Sequence, residues 1–364
     1  MSTPEKSNPL KVIDISLPQE QIIQDLLVAS RDQGFLFIDG HGIPQEAVND
    51  LFRISEKFFT TVPVEEKLEY TINPETNIGY THYNSEQLDP RKSKDFKEGY
   101  NFGYANFETG KYNQSYADYY KDSEKKDSNK LELVNPTPPF FNEYQPQLSA
   151  IMVKLYAIAR EIMRLMTHSL EIPNKNFFLD KMRKNVPSGT TMRMLRYPLI
   201  RTDGYEQSTT DKENDDDDTV NIRAGAHTDY GALTLLFQQR GQEGLQLEIN
   251  DKWLSVPYID SKHKGMAPPL VVNFGDLLSF WTNGLLKSTT HRVKFSPQES
   301  RFTDRYSIVF FVHPENDTTL DPVPSEIVQA LKKKNEQDDK EGGEKPLMTA
   351  LQHLQFRLQE TYNW

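Results

Sequence analysis

The residues with the clearest capacity for chemistry are two histidines and an aspartate. His227 and Asp229 stand two apart, directly before the apolar run Leu233 to Phe237. Residues two apart in a strand point to the same face, so a strand edge here presents an imidazole and a carboxylate together. A second imidazole, His291, opens another strand-like stretch, His291-Arg-Val-Lys-Phe295. Two imidazoles and one carboxylate form a facial triad, which binds non-haem Fe(II) and leaves coordination positions open. Further on, Arg305 and Ser307 share one face of Arg305-Tyr-Ser-Ile-Val-Phe-Phe311. An Arg fork beside a hydroxyl suits a carboxylate held bidentately. The same face continues as Val309 and Phe311, an apolar wall.

Each of these residues has a plainer reading when taken alone. A lone His is more often structural than a ligand, and a lone Arg305 reads as a salt bridge on a strand edge. The other histidines fit such roles: His41 in a Gly-rich turn, His168 and His353 in helices, and His313 beside Pro314. His227 and His291 differ because both lie in a strand-rich half that can bring them together.

The elements that would position these groups follow from periodicity. Alternation predicts a short strand at Val12 to Ile15, and helical spacing of apolar residues predicts a helix over 19–33 that ends at Gly34. A buried strand, Phe35 to Ile38, and a second helix from about Gln45 to Thr60 come next. Pro63 opens a third, short helix. Residues 74–136 are polar, Tyr-rich and interrupted by Pro and Gly, and predict long ordered loops with little regular structure. The widest apolar stripe, from Leu148 to Met166 within 139–171, predicts a long helix packed along a sheet. Short strands follow around Met192–Pro198, 244–249, 253–256 and 270–274, then Leu277–Thr282, His291–Phe295 and Arg305–Val312. Many short strands with tight turns suggest a sandwich, barrel or jelly roll. The expected organisation is a flexible tail over 1–10 and an N-terminal α/β region over 11–136. The long helix and β core follow over 137–330, with an acidic surface insertion near 201–219. A charged linker and C-terminal helix close the chain over 331–364.

Composition excludes several function classes. The chain has 364 residues and a formal net charge of −11, from 53 acidic against 42 basic residues, so it lacks a basic nucleic-acid footprint. With no cysteine, disulfide scaffolds, thiolate metal ligands and a Cys nucleophile are ruled out. The N-terminal residues are polar, without the apolar core of a signal peptide. No stretch approaches the ~18 consecutive apolar residues of a membrane span. The expectation is a cytoplasmic or nuclear protein acting on a small molecule, with no nucleic-acid or membrane partner. Its oligomeric state is not readable.

In their order along the chain, His227-Thr-Asp229, His291-Arg-Val and Arg305-Tyr-Ser307 resemble the 2-oxoglutarate- and Fe(II)-dependent dioxygenase superfamily. The similarity is greatest to the isopenicillin N synthase-like branch, including its fungal members. Gly34-Phe-Leu-Phe-Ile-Asp-Gly-His-Gly-Ile-Pro44, Asp95-Phe-Lys-Glu-Gly-Tyr-Asn-Phe-Gly103 and Val271-Val-Asn-Phe-Gly-Asp276 extend the likeness over most of the chain. The resemblance implies an α+β fold with a mostly β core, a double-stranded β-helix (jelly roll) flanked by helices. It implies Fe(II) held by His227, Asp229 and His291, O2 as co-reactant, and 2-oxoglutarate bound by Arg305, Ser307 and Tyr197. The family often has Asn two residues before that Tyr, where this chain has Leu195. Arg301 lies nearer the spacing of many plant members, but Arg305 has the Ser and the apolar strand after it.

The implied activity is oxidation, by default hydroxylation, of a small organic molecule, with release of succinate and CO2. Phe311, Tyr100 and Phe102 are candidate substrate-pocket residues. Two other readings stay open at this point: an iron oxidase of the same branch that takes no 2-oxoglutarate, and a jelly-roll binding protein without turnover.

Overall fold

Helical periodicity and strand alternation are realised in a computed structural model that describes residues 8–73, 76–89, 94–103, 105–112, 137–199, 222–294, 303–331 and 347–362. The N-terminal part runs β1 (Val12–Asp14), α1 (Gln19–Asp32), β2 (Phe35–Asp39), α2 (Gln45–Thr61) and α3 (Val64–Leu68). Strands β3 (Gly79–Thr81) and β4 (Glu98–Asn101) precede the long helix α4 (Gln145–Ser169), which a 3-10 turn over Pro139–Tyr144 introduces. Then come β5 (Thr191–Tyr197), β6 (Ile222–His227), β7 (Leu233–Phe237), β8 (Leu245–Ile249), β9 (Lys252–Ser255) and β10 (Leu270–Phe274). A short helix α5 (Asp276–Trp281), β11 (His291–Lys294), β12 (Arg305–Val312) and the C-terminal helix α6 (Ala350–Tyr362) complete the order.

Special backbone positions match the residues that occupy them. Gly34 closes α1 at φ +69°, its N–H donating to the Ala29 carbonyl. A Cβ there would lie 2.2 Å from the Lys287 carbonyl oxygen, so both conformation and space demand glycine. Asn250 and Asp251 have φ of 52° and 58°, the positive pair that a two-residue hairpin between β8 and β9 needs.

The described strands form two sheets. One has eight strands in the order β1-β2-β10-β7-β12-β5-β4-β3, and the other has four in the order β6-β11-β8-β9. Only the β1–β2 pairing in these sheets is parallel. Because side chains alternate across a strand, the large sheet has two distinct faces. On one, Leu36, Met192, Met194, Leu235, Val272, Ile308 and Phe310 join the α4 residues Leu148, Met152, Leu155 and Ile162 in the main core. The other turns toward the small sheet. There Phe35, Phe37 and Val271 pack with Leu245 and Leu247, and Leu195, Tyr197 and Val309 pack with Ala224 and Val293. The core is therefore mostly β with flanking helices, and the long helix lies along the large sheet.

Three expectations are corrected. Leu277–Thr282, placed among the strands, is largely helical. Its buried residues Leu277, Leu278 and Trp281 follow one helical turn rather than alternating. Among its described residues, the 74–136 stretch contributes two short strands, β3 and β4, to the edge of the large sheet. Tyr100 and Phe102, expected at the substrate pocket, face the other way. Both are 0% exposed, in an aromatic cluster with Phe58 and Phe141. Strand parity explains this: Gly99 and Asn101 take the site-facing positions that alternate with Tyr100. Leu10, expected in the loose tail, packs with Phe35 and Phe37. The acidic insertion at 201–219, most of the 331–346 linker and Arg301 lie outside the described residues.

Phe102→Ala should lower the unfolding free energy by about 3–5 kcal/mol, the cost of removing a fully buried aromatic ring. Urea unfolding measures this, and a loss below about 1 kcal/mol would place the ring outside the core.

Candidate active site

Strand pairing brings the first three candidates together. His227 ends β6, and its direct partner across the antiparallel pair is His291 at the start of β11. Their ring centroids are 4.4 Å apart. The chain leaves β6 after His227, so Asp229 sits in the following turn and not on the strand. Even so, Asp229 Oδ1 lies 3.9 Å from His227 Nε2 and 3.7 Å from His291 Nε2. One ligand atom from each residue falls within 4.8 Å of the others, and this is the only such cluster of His, Asp and Glu among the described residues.

Surrounding contacts set the chemical state of each group. His227 Nδ1 lies 2.7 Å from the Gly225 carbonyl and His291 Nδ1 3.1 Å from that of Thr289. A carbonyl only accepts, so each Nδ1 carries the proton and each Nε2 keeps a lone pair for a metal. Asp229 Oδ2 accepts from Thr234 Oγ1 at 2.8 Å and Asn273 Nδ2 at 2.7 Å, leaving Oδ1 to face the histidines. Burial, then the neighbouring His291, pull His227 down to about 4. Burial alone would raise the Asp229 carboxyl, but the two imidazoles and the Asn273 and Thr234 hydrogen bonds hold it below its ordinary range. Neutral imidazoles and an ionised carboxylate are the states a divalent metal requires, so the residues present fit iron.

Arg305 and Ser307 line the same cavity as the triad. Arg305 Nη1 donates to Ser307 Oγ at 2.6 Å, and its Nε is held by the Gln242 and Glu243 carbonyls. The guanidinium lies 5.0 Å from the ring centre of Tyr197, its direct partner on β5. Leu195, Leu236, Val293, Val309 and Phe311 add apolar lining to the same cavity. His41 keeps the turn role read from sequence, its Nδ1 accepting from the Ile43 N–H.

Comparison with known proteins bears on this geometry. A family model described as the 2OG-Fe(II) oxygenase superfamily matches residues 191–314, a span that contains all three triad residues, Arg305 and Ser307. A second, described as the N-terminal region of non-haem dioxygenases in morphine synthesis, matches residues 10–123. The chain belongs to the 2OG-Fe(II) oxygenase superfamily. Homoarginine-6-hydroxylase of Arabidopsis thaliana is 29% identical over 308 residues, 83% of this chain and 80% of the relative. A UPF0676 protein of Schizosaccharomyces pombe is 29% identical over 311 residues, 83% of this chain and 80% of its own. Among solved structures, a full-length Neurospora crassa protein in complex with alpha-KG superposes with a TM-score of 0.70 at 25% identity, covering 98% of each chain.

This oxygenase also has cavity residues that sequence reasoning missed. Lys97 and Arg193 line the wall, and Leu354 and Leu358 of α6 close one side near His313. Gly189 permits that approach, because a Cβ there would lie 2.6 Å from Leu354. The helix is tied to the metal loop through Asp276. Arg357 Nη2 lies 2.9 Å from Asp276 Oδ2, which also accepts from Thr228 Oγ1 at 2.9 Å, between His227 and Asp229. No local pattern links these residues, since Arg357 and Thr228 are far apart in sequence. Among the described residues, no helix is long and apolar enough to cross a membrane.

His313 and His353 generate a pH prediction. Burial, then the nearby His353, lower His313 to about 3, and burial lowers His353 to about 4. An unfolded His titrates near 6.5, so the unfolded chain takes up protons on acidification that the folded one refuses. Stability is therefore full above pH ~6.5 and falls as pH drops toward ~4. Urea midpoints across this range should decline, and His353→Gln should make the decline shallower. An unchanged slope would remove His353 from the explanation.

Proposed function

We propose that this oxygenase uses His227, Asp229 and His291 to hold Fe(II), and Arg305 with Ser307 to bind the distal carboxylate of 2-oxoglutarate. Together they would support hydroxylation of a small organic molecule. The observation that carries this reading is one cavity lined both by the His227, Asp229 and His291 triad and by the buried Arg305–Ser307 guanidinium–hydroxyl pair. In the same reading the two facing sheets form a double-stranded β-helix spanning most of 137–330, with 11–136 as the N-terminal region that extends the large sheet.

When bound, the iron supplies the chemistry that couples oxidative decarboxylation of 2-oxoglutarate, yielding succinate and CO2, to oxidation of a substrate C–H bond by O2. The chain's own residues provide the setting. Each Nδ1 keeps its proton and donates it in a hydrogen bond to a backbone carbonyl, so the imidazoles hold one tautomer and one orientation. Arg305 and Ser307 give a carboxylate charge-assisted donors in a fixed geometry, and the Tyr197 ring lies beside the guanidinium. Leu195, Val309, Leu236 and Val293 exclude water, which strengthens those contacts. The cavity lies between two sheets and under a helix, which favours a small substrate over a polymer. The Arabidopsis relative is named for hydroxylating homoarginine, itself a small molecule, which supports hydroxylation as the outcome.

Release of succinate from 2-oxoglutarate, dependent on added Fe(II), tests the proposal. Arg305→Ala should raise the half-saturating 2-oxoglutarate concentration roughly tenfold or more, as expected for losing a charged hydrogen-bond donor. An unchanged requirement would move the carboxylate site elsewhere.

A further inference from the structure

Lys97 stands just before β4, is 3% exposed, and lines the cavity that contains the triad. Its ammonium donates to Asp95 Oδ2 at 2.8 Å and lies 3.5 Å from Glu86 Oε2. On β5, Arg193 also lines the cavity, and its Nη2 donates to the same Glu86 oxygen at 2.6 Å. Glu86 therefore bridges the two cations. Gly99 makes room for this arrangement, since a Cβ there would lie 3.0 Å from Arg193 Nε. The cations and carboxylates are not placed alike: Lys97 and Arg193 line the cavity, whereas Glu86 and Asp95 do not. The cavity lining thus presents N–H donors without the carboxylates that neutralise them.

We infer that Lys97 and Arg193 form a docking point for an oxygen acceptor of the substrate, a carbonyl or a carboxylate. The inference rests on the proposed function and adds a substrate class to it. An ammonium has three donors, and the contacts to Asp95 at 2.8 Å and Glu86 at 3.5 Å account for two of them. Burial alone would lower the Lys97 pKa, but Asp95 and Glu86 hold it above its ordinary value, so the ammonium stays charged. A buried donor that water does not reach is costly unless an acceptor meets it, and a substrate oxygen is that acceptor. An ammonium or guanidinium end of a substrate would face two like charges here and be turned away.

The cluster is also fixed relative to the metal residues. Asp95 Oδ1 accepts from the Gly225 N–H at 2.9 Å, and the Gly225 carbonyl in turn holds His227 Nδ1. The dock and the triad are therefore built on a shared backbone residue, which keeps an anchored substrate at a constant offset from the metal.

The test uses the full chain loaded with Mn(II) and saturating 2-oxoglutarate, with acetate, acetamide and methylammonium as probes. Paramagnetic broadening of each methyl proton signal reports binding beside the metal. Acetate or acetamide should broaden saturably and methylammonium should not. Which of the two binds more tightly identifies the acceptor as carboxylate or carbonyl. Lys97→Met/Glu86→Gln removes one charge of each sign and should weaken the acceptor probe by roughly tenfold. If that variant does not fold, Arg193→Lys, which loses the fork but keeps the charge, should show the same direction of change. Failure of both acceptor probes to bind, equal binding of methylammonium, or variant affinity equal to wild type would overturn the inference. The control is the wild-type Fe(II)–2-oxoglutarate absorption band. Its absence would fail the underlying reading instead, whereas its presence without acceptor binding fails only the dock.

Discussion

Two backbone carbonyls, one from Gly225 and one from Thr289, each accept a hydrogen bond from the Nδ1–H of one member of a cross-strand histidine pair. This contact fixes the tautomer and leaves both Nε2 atoms facing Asp229 Oδ1. It depends on the β6–β11 register, because a one-residue slip would send one imidazole to the opposite face. That register shifts directly after the histidine pair, between His291 and Val293, and again between Val293 and Lys294. Asp229 completes the set from a turn, and Thr234 on β7 and Asn273 on β10 hold its second oxygen. The large sheet thereby orients the ligand that the small sheet does not supply.

The large sheet divides its work by parity. One face is an apolar core against the long helix. The other carries Arg305, Ser307, Val309 and Phe311 from β12 opposite Tyr197, Leu195, Arg193 and Thr191 from β5. The same strands that bury most of the apolar surface therefore aim the polar groups of the site. A buried guanidinium and a buried ammonium are costly in such a setting, and each is held by specific oxygens: Arg305 by two carbonyls and Ser307, and Lys97 by two carboxylates. Charge neutralisation and fold stability meet at these residues, because the partners that neutralise the charges also anchor neighbouring segments.

Much of the site could be read from sequence, for a physical reason. His227 with Asp229 and Arg305 with Ser307 are chemical residues placed two apart beside apolar strands, a local pattern that survives without knowledge of the fold. The helix boundaries near Gln19, Gln45 and Ser169 were likewise local, set by apolar spacing and flanking Pro or Gly. What depends on long-range pairing was not legible. Tyr100 and Phe102 looked like pocket aromatics because composition says nothing about which face of β4 they occupy. Lys97 and Arg193 meet only because β4 pairs with β5 and Gly99 leaves space between them. The tie from Arg357 through Asp276 to Thr228 joins segments with no sequence signal in common. Leu277–Thr282 looked like a strand because a short apolar run fits either structure.

The most direct measurement is an anaerobic titration of the protein with Fe(II) and then 2-oxoglutarate, followed by the visible metal-to-ligand charge-transfer band. The structure predicts a band that needs both components and is absent from Asp229→Ala, whose fold is retained by circular dichroism. A band of unchanged intensity in Asp229→Ala, or iron binding with no band in the wild-type protein, would contradict the assignment of this triad as the metal and 2-oxoglutarate centre.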